Sequence, residues 1–111
     1  MTAQRIVSKD PLRFIQDCVK QRKMLWTYHV NMRLKSRSIA REGILEAVES
    51  FEIIESYPED KYLPSYLVYA QTQDEVFHVL FATDVPEQNV RIVTAYRPNP
   101  AEWSADLKRR R

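Results

Sequence analysis

Three side chains able to bind or protonate a phosphate recur at intervals of four in the segment TYHVNMRLKSRSI, residues 27–39. They are His29, Arg33 and Arg37. Residues four apart share one face of an α-helix, so a helix over this segment places all three in one stripe. The stripe is either a solvated helix face that makes surface ion pairs or one half of an active site.

The second histidine of the chain, His78, lies in the segment EVFHVLF, whose β-branched and aromatic residues predict a strand. Alternation along that strand sets Phe77, Val79 and Phe81 on one face, which we predict to be the core face, and His78 on the other. The cover of that other face is either the helices or water. A strand histidine of this kind is either a hydrogen-bonded structural group or a catalyst.

These residue types fit the cleavage of RNA without a metal ion better than other reactions. RNA carries its own nucleophile in the 2′-hydroxyl, so the protein has to supply only a base, an acid and cations around the developing phosphorane. In this hypothesis one of His29 and His78 assists the attack, the other protonates the leaving oxygen, and the charge is stabilised by Arg33 and Arg37. RNA contacts are also predicted for residues nearer the end of the chain: Tyr96, Arg97, Lys108, Arg109 and Arg110.

A metal site and a serine or cysteine hydrolase are the competing chemistries. His29, His78 and Cys18 could bind zinc, but they show no ligand-pair spacing. No Gly-x-Ser-x-Gly segment is present, and Cys18 falls at an apolar position of the first predicted helix. The single glycine, Gly43, excludes the P-loop and the dinucleotide fingerprint, which need several glycines. We therefore expect neither a metal nor a cofactor.

The elements that have to position these residues are helices first and strands second. Asp10 followed by Pro11 predicts a helix start, and an apolar stripe continues to about residue 36 as two helices or one bent helix. A further helix is expected over about 40–50, beginning at Ala40, a poor cap. Four strands follow, in the segments EIIESY, SYLVYAQ, VFHVLFAT and VRIVTAY. Because the loops TQDE and PEQN are short, we expect an α+β fold with N-terminal helices packed on a four-stranded antiparallel sheet.

Length and charge limit the class of protein. A chain of 111 residues with 44% hydrophobic residues builds one domain, which we place at 10–111, after a flexible segment 1–9 and with a basic tail from about 104. The formal charge is only +2, but residues 1–50 carry ten Lys/Arg against five Asp/Glu, and residues 51–98 carry three against eight. A basic N-terminal face is thus available to an anionic partner.

The single cysteine and the lack of a signal peptide or long apolar run predict a cytoplasmic protein without membrane contact.

The order of several short elements resembles the domain-of-unknown-function family 4258. The pattern has a histidine, arginines four and eight residues later, a helix, EIIE-x-YP-E-D-K-Y-x-P-S, a strand with His-Val, and T-x-Y-x-P-x-P-x-x-W before a basic end. Here it covers residues 27–110, about three quarters of the chain. The residue after the second arginine is Ser38, where the family has glycine, and Ala40 stands in place of its polar helix-start residue.

The resemblance implies a domain similar to BrnT, MqsR and RelE-type toxins, which cut messenger RNA without a metal, some of them only on the ribosome. It also implies a cognate antitoxin as protein partner, of the MqsA zinc-finger type. Catalytic residues differ between these toxins, so the resemblance supports a reaction class, while His29, His78 and Arg37 fall at positions of the family pattern. We therefore expect a toxin with endoribonuclease activity. A non-catalytic protein-interaction or RNA-binding module of the same fold is the alternative.

Overall fold

The computed structural model describes residues 6–111, which form an α+β domain. Its elements are α1 (Pro11–Lys20), β1 (Met24–Trp26), α2 (Tyr28–Ser36), α3 (Arg41–Glu46), a 3₁₀ turn (Val48–Ser50), β2 (Glu52–Tyr57), β3 (Ser65–Gln71), β4 (Val76–Asp84) and β5 (Asn89–Tyr96). Of the segment 1–9 predicted to be flexible, residues 1–5 lie outside the described part, and residues 6–9 belong to no helix or strand. None of the helices within residues 6–111 has the length and apolar character needed to cross a membrane.

The helices begin where their capping residues allow. The Asp10 carboxylate accepts a hydrogen bond from the Arg13 amide at 3.1 Å, and Pro11 occupies the first position of α1, so the predicted helix start is confirmed. Thr27 caps α2 in the same way, with its hydroxyl accepting from the Val30 amide. Ala40 precedes α3 without a side-chain cap, and this helix is only six residues long.

The sheet has five strands in the order β1-β5-β4-β3-β2. Strands β2 to β5 form the predicted antiparallel meander, whereas β1 lies parallel to β5, with Met24 opposite Val90 and Trp26 opposite Ile92. The prediction of an α+β class is confirmed, but the prediction of a four-stranded antiparallel sheet is wrong.

The error comes from residues 24–26, which lie inside the region predicted to be helical to about residue 36 because Trp26 continues the apolar stripe of α1. In the structure Met24 and Trp26 pack against the core while Leu25 is exposed, which is the alternation of a strand. A parallel pair needs a long connection. Here the whole segment 27–88, with α2, α3 and three strands, provides it.

The hydrophobic core lies between the three helices and one face of the sheet. Phe77, Val79 and Phe81 are buried in it, as predicted for the core face of β4. Burying one such side chain stabilises the folded state by about 1.5–3 kcal/mol. The helices contribute Ile15, Val19, Val30, Leu34 and Ile44 to the same cluster.

The opposite face of the sheet is partly covered by the end of the chain. The sequence predicts instead that either the helices or water cover this face. Residues 102–111 form a turn and short pairing that we call the C-terminal hairpin. Its backbone is joined by hydrogen bonds from Ser104 to Arg109 at 2.7 Å and from Arg111 to Glu102 at 3.0 Å. The predicted basic tail from about residue 104 is therefore folded back on the sheet. Trp103, only 2% exposed, anchors it there.

Candidate functional site

Two rows of side chains run across the sheet face that points away from the helices. The first row is Tyr69 on β3, His78 on β4 and Tyr96 on β5, which are direct cross-strand partners. The second row, one pleat further along the strands, contains Leu67, Leu80 and Thr94, with Glu55 of β2 opposite Leu67. The sheet thus brings together residues from four segments of the sequence.

The C-terminal hairpin covers the first row. The Trp103 ring packs edge-on against His78 with a centroid distance of 4.4 Å, and the Lys108 ammonium lies 4.9 Å from the centre of the Tyr69 ring. Lys108 also forms an ion pair with Glu52 of β2 at 2.9 Å. The hairpin is therefore held by an aromatic anchor and by charges at its rim.

Arg110 connects the C-terminal hairpin to Glu55 in the second row. Its guanidinium donates to both carboxylate oxygens of Glu55, from Nε at 2.7 Å and from Nη2 at 3.2 Å. The Tyr57 hydroxyl donates to the same carboxylate. A bidentate arrangement of this kind is the strong form of an ion pair. Because the Arg110 side chain is 59% exposed, it remains accessible to a ligand.

The uncovered part of the second row is the floor of a pocket of about 680 Å³. Cavities of this size hold small-molecule ligands. Carboxylates, a guanidinium, two phenols and apolar side chains line this pocket. The lining includes Glu55, Tyr57, Pro58, Glu59, Asp60, Leu67, Leu80, Thr94, Tyr96 and Arg110.

The charges in this pocket are fixed by its hydrogen bonds. The bond from Arg110 lowers the pKa of Glu55, with a further contribution from Tyr57. The hydrogen bond that the Tyr57 hydroxyl donates to Glu55 raises the pKa of Tyr57. Burial raises the pKa of Tyr96. At neutral pH Glu55 is therefore a carboxylate beside the Arg110 guanidinium, and Tyr57 and Tyr96 are protonated phenols.

His78 lies behind the pocket and does not open into it. It is fully buried, and its Nε2 lies 2.7 Å from the Leu107 carbonyl oxygen, which can only accept. Nε2 therefore carries the proton, and Nδ1 accepts from the Tyr96 hydroxyl at 3.4 Å. Burial lowers the pKa of His78, so the ring is neutral at pH 7. Its position links Tyr96 to the hairpin.

A pH dependence of stability follows from this burial. The unfolded His78 protonates near pH 6.5 and the folded ring only at lower pH, so below about 6.5 the unfolded state binds more protons. Between pH 7.5 and 5.5 we expect the free energy of unfolding to fall, by at most about 1.4 kcal/mol per pH unit. Urea unfolding at a series of pH values measures the free energy of unfolding and its slope with pH. His78→Gln should flatten this slope and His29→Gln should keep it. Equal slopes for both variants would contradict the assignment.

The other predicted catalytic histidine, His29, lies elsewhere. It is exposed on the first turn of α2, and Arg33 is exposed one helical turn later. Val30 and Leu34 of the same helix pack in the core on the helical side of the sheet, whereas His78 belongs to the opposite face. The structure therefore does not bring the two histidines together as an acid and a base.

Arg37 and Arg97 meet at the end of α2. Arg37 donates to the Ala95 carbonyl oxygen at 2.7 Å, and Arg97 donates to the carbonyl oxygens of Arg37 and Ser38 at 2.7 and 3.1 Å. Arg97 also forms an ion pair with Glu75 at 2.9 Å. Ser38 has a φ of 54°, a left-handed value that glycine adopts without strain, which explains the glycine of the family pattern. Both arginines thus join α2 to the C-terminal part of β5.

The predicted RNA-binding residues divide between these regions. Tyr96 and Arg110 line the pocket, Lys108 lies at the hairpin rim, and Arg109 is exposed on the hairpin. Sequence reasoning did not select Glu55. The available signal was the spacing of Glu55 and Tyr57 in EIIESY, since strand residues two apart share a face.

The remaining ligand-type side chains do not form a second site in the described part of the chain. Within residues 6–111 no three His, Cys, Asp or Glu side chains are grouped so that they could hold a metal ion. Cys18 is buried in the core, and burial raises the pKa of its thiol. This is the environment of an inert structural cysteine.

Fold and pocket define an α+β domain with a pocket of apolar and charged side chains on the sheet face opposite its helices. The family model described as Domain of unknown function (DUF4258) matches residues 26–97, and the chain belongs to this family. The match includes β2 to β5, while α1 and the C-terminal hairpin lie outside it. Neither a curated protein nor a solved structure matches the chain.

Proposed function

We propose that this domain cleaves RNA without a metal ion and that the pocket beside the C-terminal hairpin is its active site. The observation that carries the proposal is the ion pair of Glu55 and Arg110, with the Tyr57 hydroxyl hydrogen-bonded to Glu55, in an open pocket that Tyr96 also lines. These groups supply the base, the cation and the acid that transfer of a phosphoryl group to the 2′-hydroxyl requires.

In the proposed reaction Glu55 accepts the proton of the 2′-hydroxyl while the 2′-oxygen forms a bond to phosphorus. The bond between phosphorus and the 5′-oxygen breaks, and the Tyr96 hydroxyl, which turns from His78 Nδ1 towards the substrate, donates its proton to that leaving oxygen. Arg110 stabilises the negative charge of the phosphorane. The products are a 2′,3′-cyclic phosphate and a 5′-hydroxyl, and proton exchange with water restores Glu55 and Tyr96.

Substrate binding strengthens the base in this scheme. A phosphate that binds Arg110 competes with Glu55 for the guanidinium and so weakens the interaction that lowers the Glu55 pKa. Glu55 then holds a proton more tightly than in the free protein. Tyr96 stays protonated at neutral pH because burial raises its pKa, so it is available as the acid.

The biological role in this proposal is that of a toxin held in check by a cognate antitoxin in the cytoplasm, where its messenger RNA substrate is found. Support for it comes from the resemblance to BrnT, MqsR and RelE-type toxins, which share this reaction class. An antitoxin of the zinc-finger type is the partner that the resemblance implies.

Induced expression in a bacterial host tests the proposal, because living cells also supply ribosomes. Wild type is expected to arrest growth and to produce new RNA ends carrying 5′-hydroxyls. The variant Glu55→Gln/Arg110→Gln removes both the base and the cation, so it should produce neither effect. The matched control is Lys20→Gln/Glu49→Gln, which neutralises the ion pair between α1 and the 3₁₀ turn, outside the pocket lining.

The control variant is expected to behave like wild type once circular dichroism shows that all three proteins fold. Intact RNA and normal growth with wild type would contradict the nuclease proposal and favour the protein-interaction module instead. Binding of RNA without new ends would favour the RNA-binding module.

A further inference from the structure

The geometry points to a guanosine as the nucleotide that the pocket takes next to the scissile phosphate. This inference rests on the proposed RNA cleavage and adds a base preference to it. Its basis is the charge distribution of the pocket lining, which has the Arg110–Glu55 ion pair at one end and the carboxylates of Glu59 and Asp60 at the other.

The two ends are separated along β3. Arg110 is bound to Glu55, which lies opposite Leu67. The carboxylate of Asp60 accepts hydrogen bonds from the Ser65 hydroxyl at 2.6 Å and from the Lys61 amide at 2.8 Å. Leu67 and Ser65 are two residues apart on one strand, which corresponds to about 7 Å. A ligand that reaches both ends therefore has an anionic group for Arg110 and a hydrogen-bond-donating edge for the carboxylates, as a nucleotide has.

The surface between the ends suits a flat ring. Leu67 and Leu80 form an apolar floor, and Tyr57, Pro58 and Tyr96 line the walls. Unstacked bases pack on aromatic side chains when proteins bind single-stranded RNA. A pocket of about 680 Å³ has room for a purine and its ribose.

The carboxylates of Glu59 and Asp60 select among the bases. A carboxylate only accepts hydrogen bonds, and guanine presents two adjacent donors, N1–H and the N2 amino group. Adenine and cytosine each present one amino group, and uracil presents a single N3–H between two carbonyl oxygens that a carboxylate repels. The expected order therefore places guanine first and uracil last.

Calorimetric titration of the purified full chain with the four 3′-mononucleotides tests the inference independently of cleavage. We expect 3′-GMP to bind at least about tenfold more tightly than 3′-UMP, the discrimination given by one good bidentate base contact. The variant Glu59→Gln/Asp60→Asn should bring the two affinities within about twofold of each other. The matched control Asp74→Asn/Glu87→Gln changes the charge equally in two turns outside the pocket and should keep the preference.

Equal binding of all four mononucleotides by wild type would overturn the inference, and so would a preference that survives in a folded Glu59→Gln/Asp60→Asn variant. RNA cleavage with no enrichment of guanosine at the cut would also overturn it while leaving the nuclease proposal intact. Selective binding of 3′-GMP without RNA cleavage would support the base site and count against the nuclease proposal alone.

Discussion

Replacing Glu55 with glutamine is expected to slow RNA cleavage by roughly 10²- to 10⁴-fold, the usual contribution of a general base. Glutamine has nearly the same shape, and its amide oxygen still accepts hydrogen bonds from Arg110 and Tyr57, so the hairpin should stay in place. It has no basic group that could take the 2′-hydroxyl proton. The loss should therefore affect the reaction and not the fold.

The rate is best measured with a labelled RNA in a translation extract, so that an activity requiring ribosomes is also detected. Glu52→Gln is the matched control, because Glu52 is the other ion-paired glutamate of β2 and does not line the pocket. It should cleave at nearly the wild-type rate. A Glu55→Gln rate within a few-fold of wild type would show that Glu55 is not the base.

Replacing Trp103 with alanine is expected to lower the free energy of unfolding by about 3–5 kcal/mol, the range for a buried aromatic residue. Trp103 is 2% exposed and fills the space between His78 and the Arg110 guanidinium, which lies 4.6 Å from its ring centroid. Alanine leaves a cavity over a buried imidazole. Urea unfolding monitored by circular dichroism measures the change.

The control for this stability experiment is Tyr62→Ala, which also removes a large ring but at a position that is 81% exposed. Exposed substitutions usually change stability by less than about 0.5 kcal/mol. A cost below about 1 kcal/mol for Trp103→Ala would mean that the C-terminal hairpin does not fold cooperatively with the sheet. Arg110 would then be delivered to the pocket by a weakly held segment.

Local patterns were sufficient for much of the fold. The Asp10-Pro11 start, the strand alternation around Phe77 and Val79, and the short loops of the meander each depend on neighbouring residues, and each prediction is confirmed. Strand β1 was missed because three apolar residues fit a helix as well as a strand. Only the partner β5 distinguishes them, and it is about 65 residues away in the sequence.

The candidate site was harder to predict because it depends on which sheet face is open and on how the end of the chain packs. Alternation assigned His78 to the face opposite the core, but it could not show that Trp103 and Leu107 bury the ring completely. The two prolines and the charges of RPNPAEWSADLKRRR predict an extended segment. Its position is set by long-range contacts with Glu55 and Tyr69, which no local pattern contains.

The contacts of Arg37 and Arg97 lie beside the part of β5 that β1 does not cover. Strand β1 covers only residues 90–92 of β5, so among residues 6–111 no strand lies beside residues 93–96 on that side. An open strand edge of this kind can add a strand from another molecule and start aggregation. Arg37 occupies the Ala95 carbonyl oxygen, and Arg97 fixes the turn that carries Arg37. Two cationic side chains therefore block this edge to a neighbouring chain.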